Sequence, residues 1–313
     1  MGGGYRLRGV AISEPPVDYA LHNNDGWWGP VTSSIDWCER NYVVTPYVAE
    51  FFNAISNVVM VALGMLGALV ALRYGHERRF VVLYLCLAVV GVGSLAFHGT
   101  LTHVGQQGDE TPMIFLSCSW MYVTIFTPHD PSAEGAARRK AWVRGLVAFC
   151  AVFSVVHYIC RFVVSFQVSV AFFNLYQVWS LLSMTKECND RAVVRVSCAY
   201  VFFLLGAFFL WNIDQHLCVH LYSLPHGLPN PQFHAWWHIM VSIGGYCGAV
   251  ALEFFRAERL QASTPRARGA PRIAWVGGVL PVCVLGDRLG TPAAEVGVKL
   301  RRSPRIARQA SGR

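Results

Sequence analysis

Seven stretches of the chain run almost free of charge for roughly 20 residues, the length a helix needs to cross the hydrocarbon core of a bilayer. They cover about 47–72, 80–98, 111–127, 141–160, 162–183, 195–213 and 233–255. The third and fourth are short, and the fourth runs almost directly into the fifth at Arg161. No soluble linker separates them, so the pattern predicts an all-α membrane protein, a seven-transmembrane helix bundle forming one domain over 28–257. A short segment, 1–27, precedes it, and a basic segment, 258–313, follows.

The connections carry a direction. One set holds Arg73, Arg78 and Arg79, then Arg138, Arg139, Lys140 and Arg144, then Lys186, Arg191 and Arg195. The alternate set holds only Arg161, and segments 99–110 and 214–232 contain no Lys or Arg. Positive charge marks the cytosolic side. The N-terminus is therefore expected to be exoplasmic or lumenal and the C-terminus cytosolic. An odd number of spans is the count that fits an acidic start and a basic end.

Composition supports this reading. The chain is 54% hydrophobic and 14% charged, whereas soluble domains carry about a quarter charged residues. Residues 1–46 hold no apolar core of the secretory type, so the first span is expected to act as the insertion signal. The net charge of +8 would suit nucleic acid, but its distribution does not: eleven Arg and one Lys lie from Arg256 onward, and most of the others sit in short loops. No nucleic acid and no obligate protein partner is expected. The basic segment is expected to be disordered or to lie on the cytosolic membrane surface. Its apolar stretch 273–286 is too short to span and contains three glycines and a proline.

The candidate chemistry gathers at one side. Gln232-Phe-His234-Ala-Trp-Trp-His238 opens the seventh span. Histidines at i and i+4 share a helix face and can share a metal ion; alone, such a pair is as well read as two buried, hydrogen-bonded side chains. His98 closes the second span at the same exoplasmic depth. Three histidines with one coordination position left for water are the arrangement of a catalytic zinc. Ser94, four residues before His98, faces the same way; its hydroxyl suits a role at the metal, and its small size suits close helix packing equally. Asp109 stands just before the third span, either as a general base or as that helix's N-cap. Asp36, Glu39, Asn41 and Glu50, three carboxylates and an amide, would suit Ca²⁺, although the residues alone favour a solvated, capped helix start. Cys38 and Cys218 both lie outside the bilayer on the exoplasmic side, where disulfides persist, and are expected to pair.

In their order, Trp28-Gly-Pro, Asp36-Trp-Cys-Glu, Ala49-Glu50-Phe-Phe-Asn53, Gly93-Ser-Leu-Ala-Phe-His98, Trp211-Asn-Ile-Asp214 and Gln232-Phe-His-Ala-Trp-Trp-His238 resemble the alkaline ceramidases, most of all their phytoceramidase branch. The resemblance runs from about Trp28 to Ala257. It implies a seven-helix zinc amidohydrolase that cleaves ceramide, dihydroceramide or phytoceramide to a sphingoid base and a fatty acid, in endoplasmic reticulum or Golgi membrane. It implies zinc on His98, His234 and His238, assistance by Ser94, proton transfer by Asp109 and calcium on Asp36, Trp37 (through its carbonyl), Glu39, Asn41 and Glu50. It also matches the Cys38–Cys218 pair. Two features depart from the family: the polar, glycine-rich Gly105-Gln-Gln-Gly108 before Asp109, and the segment beyond about Leu260, for which no counterpart is expected. The alternative is a seven-helix receptor of the adiponectin and progestin receptor-like type, which shares a three-histidine zinc site but lacks a calcium segment of this kind.

Overall fold

The computed structural model describes residues 26–128, 131–263 and 270–286. Residues 1–25 of the expected N-terminal segment and 287–313 of the expected tail lie outside them. Each apolar run has a long helix at its position: α1 (Phe51–Tyr74), α2 (Arg78–Thr100), α3 (His103–Ile125), α4 (Ala133–Cys160), α5 (Val163–Lys186), α6 (Arg191–His216) and, after the short α7 (Cys218–Tyr222) and a 3₁₀ turn, α8 (Phe233–Ser263). Five of them, α1, α2, α4, α6 and α8, are long and apolar enough to cross a membrane by length and composition.

α3 differs because it is polar within. It starts eight residues before the expected span. Thr102 caps it by accepting from the Gly105 amide at 3.1 Å, and Gln106, Gln107, Asp109 and Glu110 then turn into the bundle and are buried. The cap reading of Asp109 is thereby excluded, since Thr102 takes that task. α4 also starts early, where the Ser132 hydroxyl accepts from the Gly135 amide at 2.9 Å.

α1 packs along α2, α2 against α3, and α8 against both α6 and α1. α8 is thus the central helix: its apolar window is 72% buried, against 11% for the peripheral α4. Outward faces are apolar, as at Val152, Phe172, Leu175, Phe202 and Phe209, while carboxylates and imidazoles lie inside. That is the reverse of a water-soluble fold, and it suits hydrocarbon surroundings. Small residues bring the helices together. A Cβ on Gly64 would stand 2.6 Å from the Ala88 nitrogen, and one on Gly93 would stand 1.9 Å from the Gly108 carbonyl oxygen.

The expectation of disorder after 258 fails in two places. α8 continues to Ser263, and β1 (Arg272–Val276) pairs antiparallel with β2 (Leu280–Val284). Gly277 and Gly278 carry φ of 61° and 82° at the turn, the left-handed conformation that tight hairpins demand and glycine supplies. Ile273 and Cys283 join the main core beside α8, while Ala274, Val282 and Val284 pack on Val70 and Tyr74 of α1. Too short to span, the segment is buried by pairing with itself against the end of the bundle.

Candidate active site

His98 ends α2, and His234 and His238 occupy the first two turns of α8; all three are buried. Their ring centroids lie 4.6 to 5.0 Å apart, and one ligand atom from each falls within 4.8 Å of the others. Hydrogen bonds set the rings. His98 Nδ1 bonds the Glu50 carboxylate, which can only accept, so that nitrogen carries the proton and Nε2 keeps its lone pair. The Ser56 hydroxyl donates to the Asn53 carbonyl at 2.8 Å and therefore accepts from His238 Nδ1 at 2.8 Å. His238 Nε2 is likewise left as a lone-pair donor. His234 stacks on Trp37, centroid to centroid 3.7 Å, and its Nδ1 is buried without a hydrogen-bond partner among the described residues. Converging neutral imidazoles, two of them oriented by outer partners, fit a zinc ion.

Around the start of α1 the structure gathers the second set. Glu39 accepts from the Phe52 and Asn53 amides, both at 2.8 Å, and so caps α1 from outside it. Glu50 accepts from the Trp37 amide at 2.9 Å and from Asn53 Nδ2 at 3.2 Å. Asn41 Nδ2 reaches both Asp36 carboxylate oxygens, at 3.4 and 3.2 Å. Burial raises the Glu39 carboxyl above its usual range against those two amides, and among the described residues no Lys or Arg pairs with Glu39 or Glu50. An all-oxygen donor set with buried, unneutralised carboxylates fits a hard cation. The segment is a capped helix start, but a buried one rather than a solvated one. It also touches the histidine cluster through Glu50 on His98 and Trp37 on His234.

Ser94 and Asp109 complete the site. Ser94 Oγ stands 3.3 Å from His238 Nε2 and also faces the Asp109 carboxyl. The contact of Gly93 with Gly108 sets that spacing, because no side chain separates α2 from α3 there. Next to Asp109, Glu110 bonds His157 of α4 and accepts from Gln106 Nε2 at 3.0 Å. Gln106 Oε1 in turn accepts from the Ser34 amide at 2.7 Å. An apolar groove lined by Phe149, Val152, Phe153, Val156, His157, Phe162 and Ser165 lies between α4 and α5; it includes none of the expected site residues.

Sequence reasoning missed Ser56, Glu110, Gln106 and the structural part of Asp214. The carboxylate of Asp214 accepts from the Cys38 and His234 amides, both at 3.2 Å, joining the N-terminal segment to the first turn of α8. The Cys38–Cys218 disulfide fastens the same segment to α7. Asp214 lies in a motif already noticed, and only its contacts were hidden. Ser56 carries no local signal, since its partner is 182 residues away.

Comparison with known proteins bears on this geometry. The family model described as ceramidase matches residues 29–283, and so includes the hairpin for which no counterpart was expected. The alkaline ceramidase of Arabidopsis thaliana is 34% identical over 256 residues, covering 82% of this chain and 93% of that protein. Alkaline ceramidase 3 of Mus musculus is 33% identical over 278 residues, with the same coverage. Alkaline ceramidase YPC1 of Saccharomyces cerevisiae is 31% identical over 288 residues, covering 83% and 90%. These matches disfavour the receptor reading. The chain belongs to the ceramidase family, and by that membership it is a hydrolase.

Proposed function

We propose that the protein hydrolyses the N-acyl bond of ceramide, dihydroceramide or phytoceramide, releasing a sphingoid base and a fatty acid. The observation that carries this is the convergence of His98, His234 and His238 beside Ser94 and Asp109, in a chain that matches ceramidases over residues 29–283. The bundle is proposed to cross the membrane seven times, α3 with its polar residues turned inward and α5 with an apolar outer face. The N-terminus and the site then face the lumen of the endoplasmic reticulum or Golgi, as the loop charges ask.

His98, His234 and His238 would hold zinc, which when bound supplies a Lewis acid that polarises the amide carbonyl and acidifies water. Asp109 accepts the proton of the attacking water, and the resulting hydroxide adds to the carbonyl carbon. The Ser94 hydroxyl donates to the oxyanion that develops. Asp109 then delivers the proton to the sphingoid nitrogen, and the C–N bond breaks. Glu50 and Ser56 hold the imidazoles in the tautomer this needs. Asp36, the Trp37 carbonyl, Glu39, Asn41 and Glu50 would hold calcium, whose charge ties the N-terminal segment to α1.

Fatty-acid release from a fluorescent ceramide in detergent micelles tests the proposal. Wild type is expected to turn over, and His234→Ala to be inert while remaining folded. A folded, zinc-loaded wild type that cleaves none of the three ceramide classes would overturn it.

A further inference from the structure

At the opposite end of α8, a second set of metal-ligating side chains meets beneath the hairpin. His76 comes from the α1–α2 connection, Glu253 from α8 and Cys283 from β2, and one ligand atom of each lies within 4.8 Å of the others. Glu253 is 1% exposed and Cys283 is fully buried. Both Glu253 carboxyl oxygens are buried with no hydrogen-bond partner among the described residues. A carboxyl group without a hydrogen-bond partner in a dry interior is costly, whether it is charged or left as an unbonded acid. Family membership does not explain it, because it lies far from the three-histidine site and serves no step of amide hydrolysis.

The donor chemistry narrows the occupant. One imidazole, one carboxylate and one thiol are the mixed N, O and S set of a borderline-soft ion of the zinc class, and a poor set for Ca²⁺ or Mg²⁺. His76 Nε2 stands 3.8 Å from Glu253 Oε2 and donates to the Cys283 carbonyl oxygen at 2.9 Å; on filling, the imidazole exchanges that hydrogen bond for the ion. The hairpin closes over the set, held by the Tyr246 hydroxyl donating to the Pro281 carbonyl at 3.0 Å. We propose that His76, Glu253 and Cys283 form a second metal site, for zinc or a similar transition-metal ion, that fastens the β1–β2 hairpin to the end of the bundle. Thiolate and carboxylate together neutralise a divalent ion, so the buried site carries no net charge when filled.

Cobalt(II) distinguishes this site from the first, because only a thiolate ligand gives an intense charge-transfer band in the near ultraviolet and the three-histidine site has none. The full chain, purified in detergent and stripped of metal, is titrated with cobalt(II). The band is expected in wild type, to persist in His234→Ala and to vanish in Cys283→Ser. Absence of the band in wild type, or its survival in Cys283→Ser, overturns the proposal. Should Cys283→Ser fail to stay monodisperse, His76→Ala, in the α1–α2 connection, provides the second reading. It is expected to weaken cobalt binding at the thiolate by about tenfold or more, and an unchanged titration of the band would refute the site.

Discussion

The two ends of α8 handle buried polar groups in opposite ways. At the histidine end, outer partners orient the rings of His98 and His238 through Glu50 and Ser56, while Asp214 and the disulfide hold the segment above them. At the hairpin end Arg256 donates to both Glu77 oxygens, at 2.8 and 2.9 Å, yet Glu253, three residues before it, has no hydrogen-bond partner among the described residues. Hydrogen bonding at the first end leaves ligand lone pairs free by design of tautomer. At the second end it accounts for the ion pair and stops short of the carboxyl beneath it. Outer bonds thus orient two of the three rings at the histidine end, where His234 Nδ1 has none, whereas at the hairpin end the group without a hydrogen bond among the described residues is a carboxyl.

The largest effect that would sharpen this contrast is at the proposed proton carrier. Asp109→Asn should keep the metal site intact and lower kcat by about 10²–10⁴, measured as fatty-acid release alongside zinc content; loss of zinc instead would make Asp109 a ligand. Gly93→Ala comes next. Its methyl would stand 1.9 Å from the Gly108 carbonyl and push α3 away, and a displacement near 1 Å costs about 10² in rate. Full activity would show that the helices can part without moving Asp109. Ser56→Ala removes the partner of His238 Nδ1 together with the bond to the Asn53 carbonyl, and competition with a zinc chelator should show affinity lowered by about 10–100-fold.

The smallest effect belongs to the other end. Burial alone would raise the Glu77 carboxyl, but hydrogen bonds from Arg256 and the charge of Arg79 hold it below its ordinary value of 4.5. A carboxyl lowered on folding contributes stability that is present above that ordinary value and lost as pH falls through the folded one. Thermal unfolding of wild type should therefore weaken below about pH 5, and Glu77→Gln should flatten that part of the curve. Equal slopes would remove Glu77 from the account.

Positions of the helices were legible because an apolar run of membrane length has few other readings, and the pair His234 and His238 because four residues make one helical face. The start of α3 was not, since its Gln106, Gln107, Asp109 and Glu110 look like a loop until three neighbouring helices bury them. The hairpin was misread although its signal was present: Gly277-Gly278 between Trp275-Val276 and Val279-Leu280 is a tight-turn pair. Counting glycines as breakers hid their use as a turn. Contacts such as Glu50 with His98, 48 residues apart, are set by packing and leave no local trace.

α8 runs without a proline for 31 residues, so the 15 residues from His238 to Glu253 span about 23 Å at 1.5 Å per residue. Both clusters are thus fixed to one rod. A bilayer thicker or thinner than its apolar length must be met by tilt or by local deformation of the lipid, and tilt carries both ends together. Membrane thickness can change the depth of the histidine cluster in the lipid, but not its distance from the hairpin end.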